Sequence, residues 1–145
     1  MDQRVHFITI ATADLDAVRR FYVDGLGWSP TLEVAGEVLF VQAGPGLMLS
    51  FFAAPAFVRD IGTGADVAGA PAGITLAHNV GSPAEVDRVV SDAVAAGAVL
   101  LKKPQYAEWG GYHGHLADPN GLIWEIAHNP GWRVEPDGTV VMGPA

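Results

Sequence analysis

Hydrophobic and polar positions along the chain follow an order of strand and helix periods that occurs twice. Residues 5–11 carry the β-branched and aromatic side chains of a strand. A helix is predicted next, because Leu15, Val18 and Tyr22 recur at helical spacing after short capping side chains. The strands predicted after this helix are 31–34, 37–43 and 46–53.

The same order restarts in the second half of the chain. Residues 73–80 are strand-like, and Ser82, Pro83 and Glu85 form a capping box at a helix start. The strands predicted after this helix are 99–102, 111–117 and 122–127. Residues 118–121, Asp-Pro-Asn-Gly, are a strong turn signal between the last two. The chain is therefore predicted to contain two βαβββ modules.

The chain's 145 residues favour one domain, 1–145, that combines both modules. Each four-stranded sheet alone would expose an apolar face, so we expect the modules to pair or to curve around a cleft. The expected segments are a first module at 5–54, a connecting loop at 55–72, a second module at 73–128 and a C-terminal tail at 129–145. A loop of this length indicates a functional or connecting role. The tail's Pro-Asp-Gly-Thr sequence suggests the turn of a small hairpin that covers the cleft or a subunit seam.

Composition limits the classes of partner. The net charge is −8 with only eight Lys and Arg, so duplex nucleic acid and anionic membranes would be repelled. Mean hydropathy is +0.25, but no apolar run reaches the ~20 residues of a membrane helix. The start of the chain lacks a signal-peptide pattern, and with no cysteine the chain fits a reducing compartment. We therefore expect a soluble, cytoplasmic protein whose partners are a small molecule and another copy of the chain.

Several short motifs stand at fixed places in the doubled pattern. They are Ala13-Asp14-Leu15, Phe21-Tyr22 and Leu26-Gly27-Trp28 in the first module, and Ala95-Ala96-Gly97 and Asp118-Pro119-Asn120-Gly121-Leu122-Ile123-Trp124-Glu125 in the second. With these motifs the chain resembles the vicinal oxygen chelate superfamily, which includes glyoxalase I, fosfomycin- and bleomycin-resistance proteins and extradiol dioxygenases. The resemblance implies an α+β fold in which two βαβββ modules form curved mixed sheets around a cleft, commonly in a homodimer. It leaves the activity open, because the family includes lyases, isomerases, dioxygenases and drug-sequestering proteins.

Metal-using members of this family place one ligand on the first and one on the last strand of each module. By resemblance, these four positions are Phe7, Ser50, Thr75 and Glu125. Only Glu125 matches a ligand, so we expect no metal cofactor. His6 is one residue from Phe7 and should face the other side of the strand. A bulge in that strand would turn the His6 side chain to the face of Phe7. His6, His115 and Glu125 could then form an alternative site for a divalent metal.

Glu125 and His115 are the candidate catalytic residues. His113 and His115 alternate with other residues and so share one strand face. The resemblance implies that the position of His115 lines the substrate cleft, where the imidazole could pair with Glu125 as a proton-transfer unit. The alternative is that Glu125 is a former ligand position and that the histidines are ordinary polar residues of a strand. His6, His78 and His128 are predicted to be structural.

The candidate ligand-binding residues are aromatic or polar side chains expected on the cleft face. They are Phe7, Thr9, Ser50, Phe52, Thr75, Asn79, Trp109 and His113. Trp109 adjoins two glycines and could act as a stacking platform or as a packed loop anchor. The phenylalanines could form an apolar pocket, although core packing is the more common fate of this residue.

Three hypotheses follow for function. The first is a resistance-like protein that binds a small organic ligand in an apolar cleft without a metal. The second is a lyase or isomerase in which Glu125, with His115, moves protons on a carbonyl substrate. The third is a metal-dependent enzyme of the glyoxalase or dioxygenase type.

Overall fold

The computed structural model of the protein describes residues 5–61, 73–108 and 110–142. The chain divides after residue 71 into two compact units. The elements of the first unit are β1 (Phe7–Thr12), α1 (Leu15–Arg19) with a π-helical continuation (Arg20–Gly25), β2 (Pro30–Val34), β3 (Val38–Gly44), β4 (Leu47–Ala53) and α2 (Ala54–Ile61). Those of the second are β5 (Thr75–Asn79), α3 (Pro83–Ala95), β6 (Val99–Tyr106), β7 (Tyr112–Ala117), β8 (Ile123–His128), β9 (Trp132–Val134) and β10 (Val140–Met142).

The first unit is a four-stranded mixed sheet with strand order β1-β4-β3-β2. β1 lies parallel to β4 and pairs with it in continuous register from Phe7 to Thr12. On one face Tyr22, from the helical segment, contacts Phe51 with ring centroids 4.7 Å apart. The opposite face therefore carries the alternate residues of each strand, which include Phe7 of β1 and Phe52 of β4.

The first helix begins after a short capping side chain, as the sequence predicts. The Asp14 carboxylate accepts a hydrogen bond from the Ala17 amide at 2.8 Å, which satisfies one of the free N–H groups of the first turn. The chain widens into a π-helical turn, in which the Leu26 amide donates to the Phe21 carbonyl at 2.9 Å. Gly27 follows with φ +72°, a conformation that favours glycine.

The predicted connecting loop differs from the structure at its start. Residues Ala54–Ile61 form α2 instead of irregular chain. Pro55 lies in the first turn, where its missing N–H costs nothing, and Ala54, Phe57 and Val58 recur at helical spacing. The ring of Phe57 lies 6.3 Å from that of Phe52 on β4, so packing favours the helix. The remainder of the predicted loop, 62–72, lies outside the described residues.

The second unit repeats the arrangement, with strand order β5-β8-β7-β6 and β5 parallel to β8. α3 buries Val86, Val90 and Ala93, and the Tyr112 hydroxyl on β7 donates to Asp87 of this helix at 2.9 Å. Tyr112 and the residues that alternate with it therefore face α3, and the residues between them face away from it. Among the residues that the structure describes, two four-stranded mixed sheets, neither closed into a barrel, and three helices confirm the predicted α+β fold.

Two turns of the second unit form as predicted. The buried Asp118 carboxylate accepts from the Leu122 amide at 2.9 Å, and Gly121 adopts φ +78°. In the tail, β9 and β10 form an antiparallel hairpin whose turn is closed by the Glu135 amide donating to the Thr139 carbonyl at 2.9 Å.

Within the described ranges, none of the helices combines the length and apolar character needed to cross a membrane.

Candidate functional site

A cluster of ionisable side chains lies on the face of the second sheet that points away from α3. His115 of β7 is the register partner of Glu125 on β8, and His113 is two residues before it on the same strand face. The two imidazole rings have centroids 5.2 Å apart. Pairing of the antiparallel strands β7 and β8 thus brings His113, His115 and Glu125 together. The alternation of side chains along each strand predicts only which face a side chain is on.

His113 connects Glu125 to a lysine. Its Nδ1 lies 2.7 Å from Glu125 Oε1, and its Nε2 lies 2.8 Å from Lys102 Nζ. An ammonium has only donors, so the Nε2 atom accepts from Lys102 and the ring proton is on Nδ1. His113 therefore donates its Nδ1–H to the Glu125 carboxylate. The side chain is only 9% exposed, so both partners hold the ring in a largely water-free position.

His115 is the second partner of the same carboxylate oxygen. Its Nε2 lies 3.7 Å from Glu125 Oε1, which is too long for a hydrogen bond but within ion-pair range. Burial lowers the pKa of His115 below its ordinary 6.5, Glu125 opposes this effect, and His113 and Lys102 add to it. The side chain is 26% exposed. His115 is thus an uncharged, accessible imidazole at neutral pH, with an anion beside it.

Lys102 joins the cluster because β6 is irregular. Val99 and Leu100 pair with Ala117 and Leu116, but Lys102, and not Leu101, is the partner of His115. The extra residue is a β-bulge, which brings Lys102 to the face that simple alternation would give Leu101. Gly114 leaves room for it, since a Cβ there would lie 3.0 Å from the Lys102 carbonyl oxygen.

Lys102 was not among the site residues predicted from the sequence, and β6 was predicted to end at that residue. Pro104 in a strand and Gly114 opposite it were the available signals, because proline within sheets is confined to edges and bulges, and glycine often marks a close backbone approach. The structure continues β6 to Tyr106 with a second irregularity between Lys102 and Gln105.

Other predicted residues of the second unit divide between the two faces. Thr75 and Asn79 of β5 pair with Ile123 and Ala127, so they share the face of Glu125, and both are exposed. His78 has the opposite parity. His128 also lies on the α3 face, and its Nδ1 donates to the Val80 carbonyl at 3.2 Å. Trp109 lies outside the described residues.

The first unit holds the remaining four predicted ligand-binding residues on the face opposite α1. Phe7, Thr9 and their partners on β4 belong to this face. Aromatic rings form a continuous row there, with centroid distances of 6.0, 5.8 and 6.3 Å between successive members. The row consists of Phe7, Phe40, Phe52 and Phe57. His6 precedes β1, and its carbonyl accepts from the Met48 amide at 2.8 Å.

Ser50 is a buried hydroxyl with its hydrogen bonds made inside the first unit. It donates to the Ile8 carbonyl at 3.3 Å, so the Thr9 hydroxyl is the donor in their 2.8 Å contact. Phe7, at another of the four positions where the family places metal ligands, has no donor atom. These four positions therefore do not offer the donor set of a metal site.

Candidate donor atoms do meet on the second sheet. One atom each from His113, His115 and Glu125 lie within 4.8 Å of one another. A tetrahedral zinc ion would require donor atoms roughly 3.3 Å apart. Both ring nitrogens of His113 are already hydrogen-bonded, so an ion that bound this ring would displace Lys102 or Glu125. The expected absence of a metal therefore stays a prediction, and the alternative set with His6 also stays untested.

Fold and motifs together define a class of protein with two βαβββ units. The chain belongs to the Glyoxalase/Bleomycin resistance protein/Dioxygenase superfamily, whose family model matches residues 4–126. This confirms the resemblance seen in the sequence. A search of curated proteins found no significant match.

Solved structures agree with this assignment. A glyoxalase-related enzyme from Fulvimarina pelagi is 38% identical with a TM-score of 0.87, and the match covers 97% of this chain and 99% of that one. A glyoxalase/bleomycin resistance protein/dioxygenase from Nocardioides is 25% identical with a TM-score of 0.71, over 88% and 84% of the two chains. A lactoylglutathione lyase from Agrobacterium tumefaciens, 23% identical with a TM-score of 0.67 over 88% and 95%, shares the fold.

Proposed function

We propose that the chain is an enzyme of this superfamily that moves a proton on a small carbonyl-containing substrate, as a lyase or isomerase does. The observation that supports this is the Glu125 Oε1 atom, which lies 2.7 Å from His113 Nδ1 and 3.7 Å from His115 Nε2. A neutral imidazole next to a fixed carboxylate is a proton-transfer pair. The similar protein from Fulvimarina pelagi is described as a glyoxalase-related enzyme.

The roles of the three side chains follow from their contacts. His115 removes the proton, because its lowered pKa keeps it uncharged at neutral pH. Glu125 stabilises the imidazolium that results, at ion-pair distance. His113 holds the carboxylate in place through its Nδ1–H and acts as a positioning residue. The C–H bond that breaks is adjacent to a carbonyl, since that group accepts the electron pair.

Solvent exchange tests this proposal without knowledge of the product. The purified protein is incubated in D₂O with a panel of aldehydes, ketones and oxo acids, and the loss of C–H signals next to the carbonyl is followed by proton NMR. We expect exchange above the protein-free rate for at least one compound, and loss of that exchange in His115→Gln. No enhancement across the panel, or an unchanged rate in the variant, would exclude this function.

A second candidate is ligand binding without chemistry, and the aromatic row of the first unit favours it. Phe7 is 55% exposed at one end of this row, and a contiguous apolar patch at a surface marks a place where a ligand or another surface binds. A flat aromatic compound stacked there would give a resistance-like, sequestering protein. Calorimetric titration with such compounds tests this: Phe52→Ala should weaken binding, whereas Glu125→Gln should leave it unchanged.

Homodimer formation remains a proposal because homodimers are common in the family. A cytoplasmic location remains a proposal that rests on composition. Light scattering during size-exclusion chromatography measures the first, and a mass of twice 15.2 kDa is expected.

A further inference from the structure

The geometry points to Lys102 as a binding site for the carboxylate group of the ligand, so that the substrate class is small carboxylates, with an oxo acid as the reacting form. This inference rests on the proposed function for its reaction, but its binding step can be measured separately. Three features of Lys102 lead to it: its direction, its charge and its neighbours.

The direction of Lys102 is set by the bulge in β6. In the register of Val99 and Leu100, the partner of His115 would be Leu101. The extra residue puts a cation at that place, on the face of the two imidazoles. An apolar side chain opposite His115 would be the ordinary result for this strand, so the irregularity changes the chemistry of the face.

Lys102 forms no ion pair with a carboxylate within the described ranges, and the His113 ring separates it from Glu125. Its Nζ contacts the His113 ring, and an ammonium has three donors, of which this contact uses one. Among the described arginines, four form ion pairs with acidic residues, and they are Arg19, Arg59, Arg88 and Arg133. In a chain with 16 acidic and 8 basic residues, a half-buried lysine held against an imidazole is placed to receive an anion.

The neighbours of Lys102 select the kind of anion. Lys102 is the register partner of His115, and its Nζ lies 2.8 Å from His113 Nε2, so the ammonium and the two imidazoles lie on one face of the sheet. A carboxylate on the ammonium would bring the adjoining carbonyl and C–H carbon towards the imidazole. A small oxo acid supplies all three groups, and the same cation would stabilise the enolate oxygen that forms.

Chemical-shift titration tests the binding step. Imidazole signals are followed while pyruvate or benzoate is added, and acetone and benzamide serve as neutral probes of matching size. We expect saturable shifts of His115 with the carboxylates only. Lys102→Met should weaken carboxylate binding at least tenfold, whereas Lys102→Arg retains the charge and should retain most of it. Lys103→Met, a change at the exposed neighbour, is the matched control and should bind normally.

The result that overturns the inference is equal binding of carboxylates and neutral probes, no carboxylate binding, or a Lys102→Met protein that binds as the Lys103→Met control does. Failure of the proposed function gives a different pattern: carboxylates bind in a manner that depends on Lys102, but no proton exchange follows in D₂O. A folded state of each variant is checked by its amide spectrum, and Lys102→Arg separates loss of charge from loss of packing.

Discussion

Replacing Gly114 by alanine tests whether close packing under the β6 bulge holds the site together. An added Cβ would lie 3.0 Å from the Lys102 carbonyl oxygen and 3.1 Å from Pro104 Cγ and N. Two of these atoms are backbone, so the strand itself must move. The φ of Gly114 is outside the left-handed region, so the cost is steric and not conformational.

The expected magnitude follows from overpacking of a buried contact, which costs about 1–3 kcal/mol of unfolding free energy. The entropy of unfolding near the midpoint is about 2.1 cal/mol/K per residue, hence about 0.3 kcal/mol/K for a chain of this length. Gly114→Ala should therefore lower Tm by about 3–10 °C. Because the Lys102 backbone is displaced, the hydrogen bond from its Nζ to His113 Nε2 should weaken as well.

Gly44→Ala is the matched control. A Cβ added at Gly44 would meet nothing within 4 Å, and this glycine has no positive φ, so its substitution adds no contact. Both variants restrict the unfolded chain equally, and this effect is worth about 0.4–1 kcal/mol. The difference in Tm between them, measured by differential scanning calorimetry, therefore isolates the steric effect. If Gly114→Ala melts no lower than Gly44→Ala, the bulge is not held by this contact and the reasoning is refuted.

Four further outcomes are expected. Glu125→Gln should lower the rate of proton exchange by about 10²–10⁴-fold while ligand still binds, and Glu37→Gln, at an exposed glutamate, should not; equal rates would contradict the role of Glu125. The rate should rise with pH through a pKa below 6.5, because His115 must be uncharged, and a profile that falls over this range would exclude it as the base. The same lowered pKa means that the unfolded state binds more protons, so the free energy of unfolding should decrease as pH falls below 6.5, and His115→Gln should reduce this dependence. Elemental analysis of protein purified without chelators should find less than stoichiometric Zn, Ni, Mn or Fe; near-stoichiometric metal would favour the metal-dependent hypothesis.

The sequence by itself determined the doubled order of elements. Hydrophobic periods of two and about 3.6 residues predict each strand and helix from neighbours a few positions away. Caps and turns are equally local. Backbone amides three or four residues further along donate to the side chains of Asp14, Ser82 and Asp118, as these residue types predict. The one helix that was missed, α2, contains a proline, and contacts with Phe52 stabilise it.

Alternation also determined which side chains share a strand face, as for His113 and His115, because the strand period is two. It could not give distances between strands. Whether Glu125 meets an imidazole depends on the register of β7 and β8, in which His115 pairs with Glu125 and His113 pairs with Ala127.

Only the tertiary structure decided that Lys102 belongs to the cluster. The first bulge brings Lys102 to the face that simple alternation would give Leu101, and its place depends on how β6 packs over Gly114 and not on the residues of β6 alone. Local sequence fixes periods and turns because their interactions are local. The charge that completes the site is placed by long-range strand pairing, which no short window of the sequence contains.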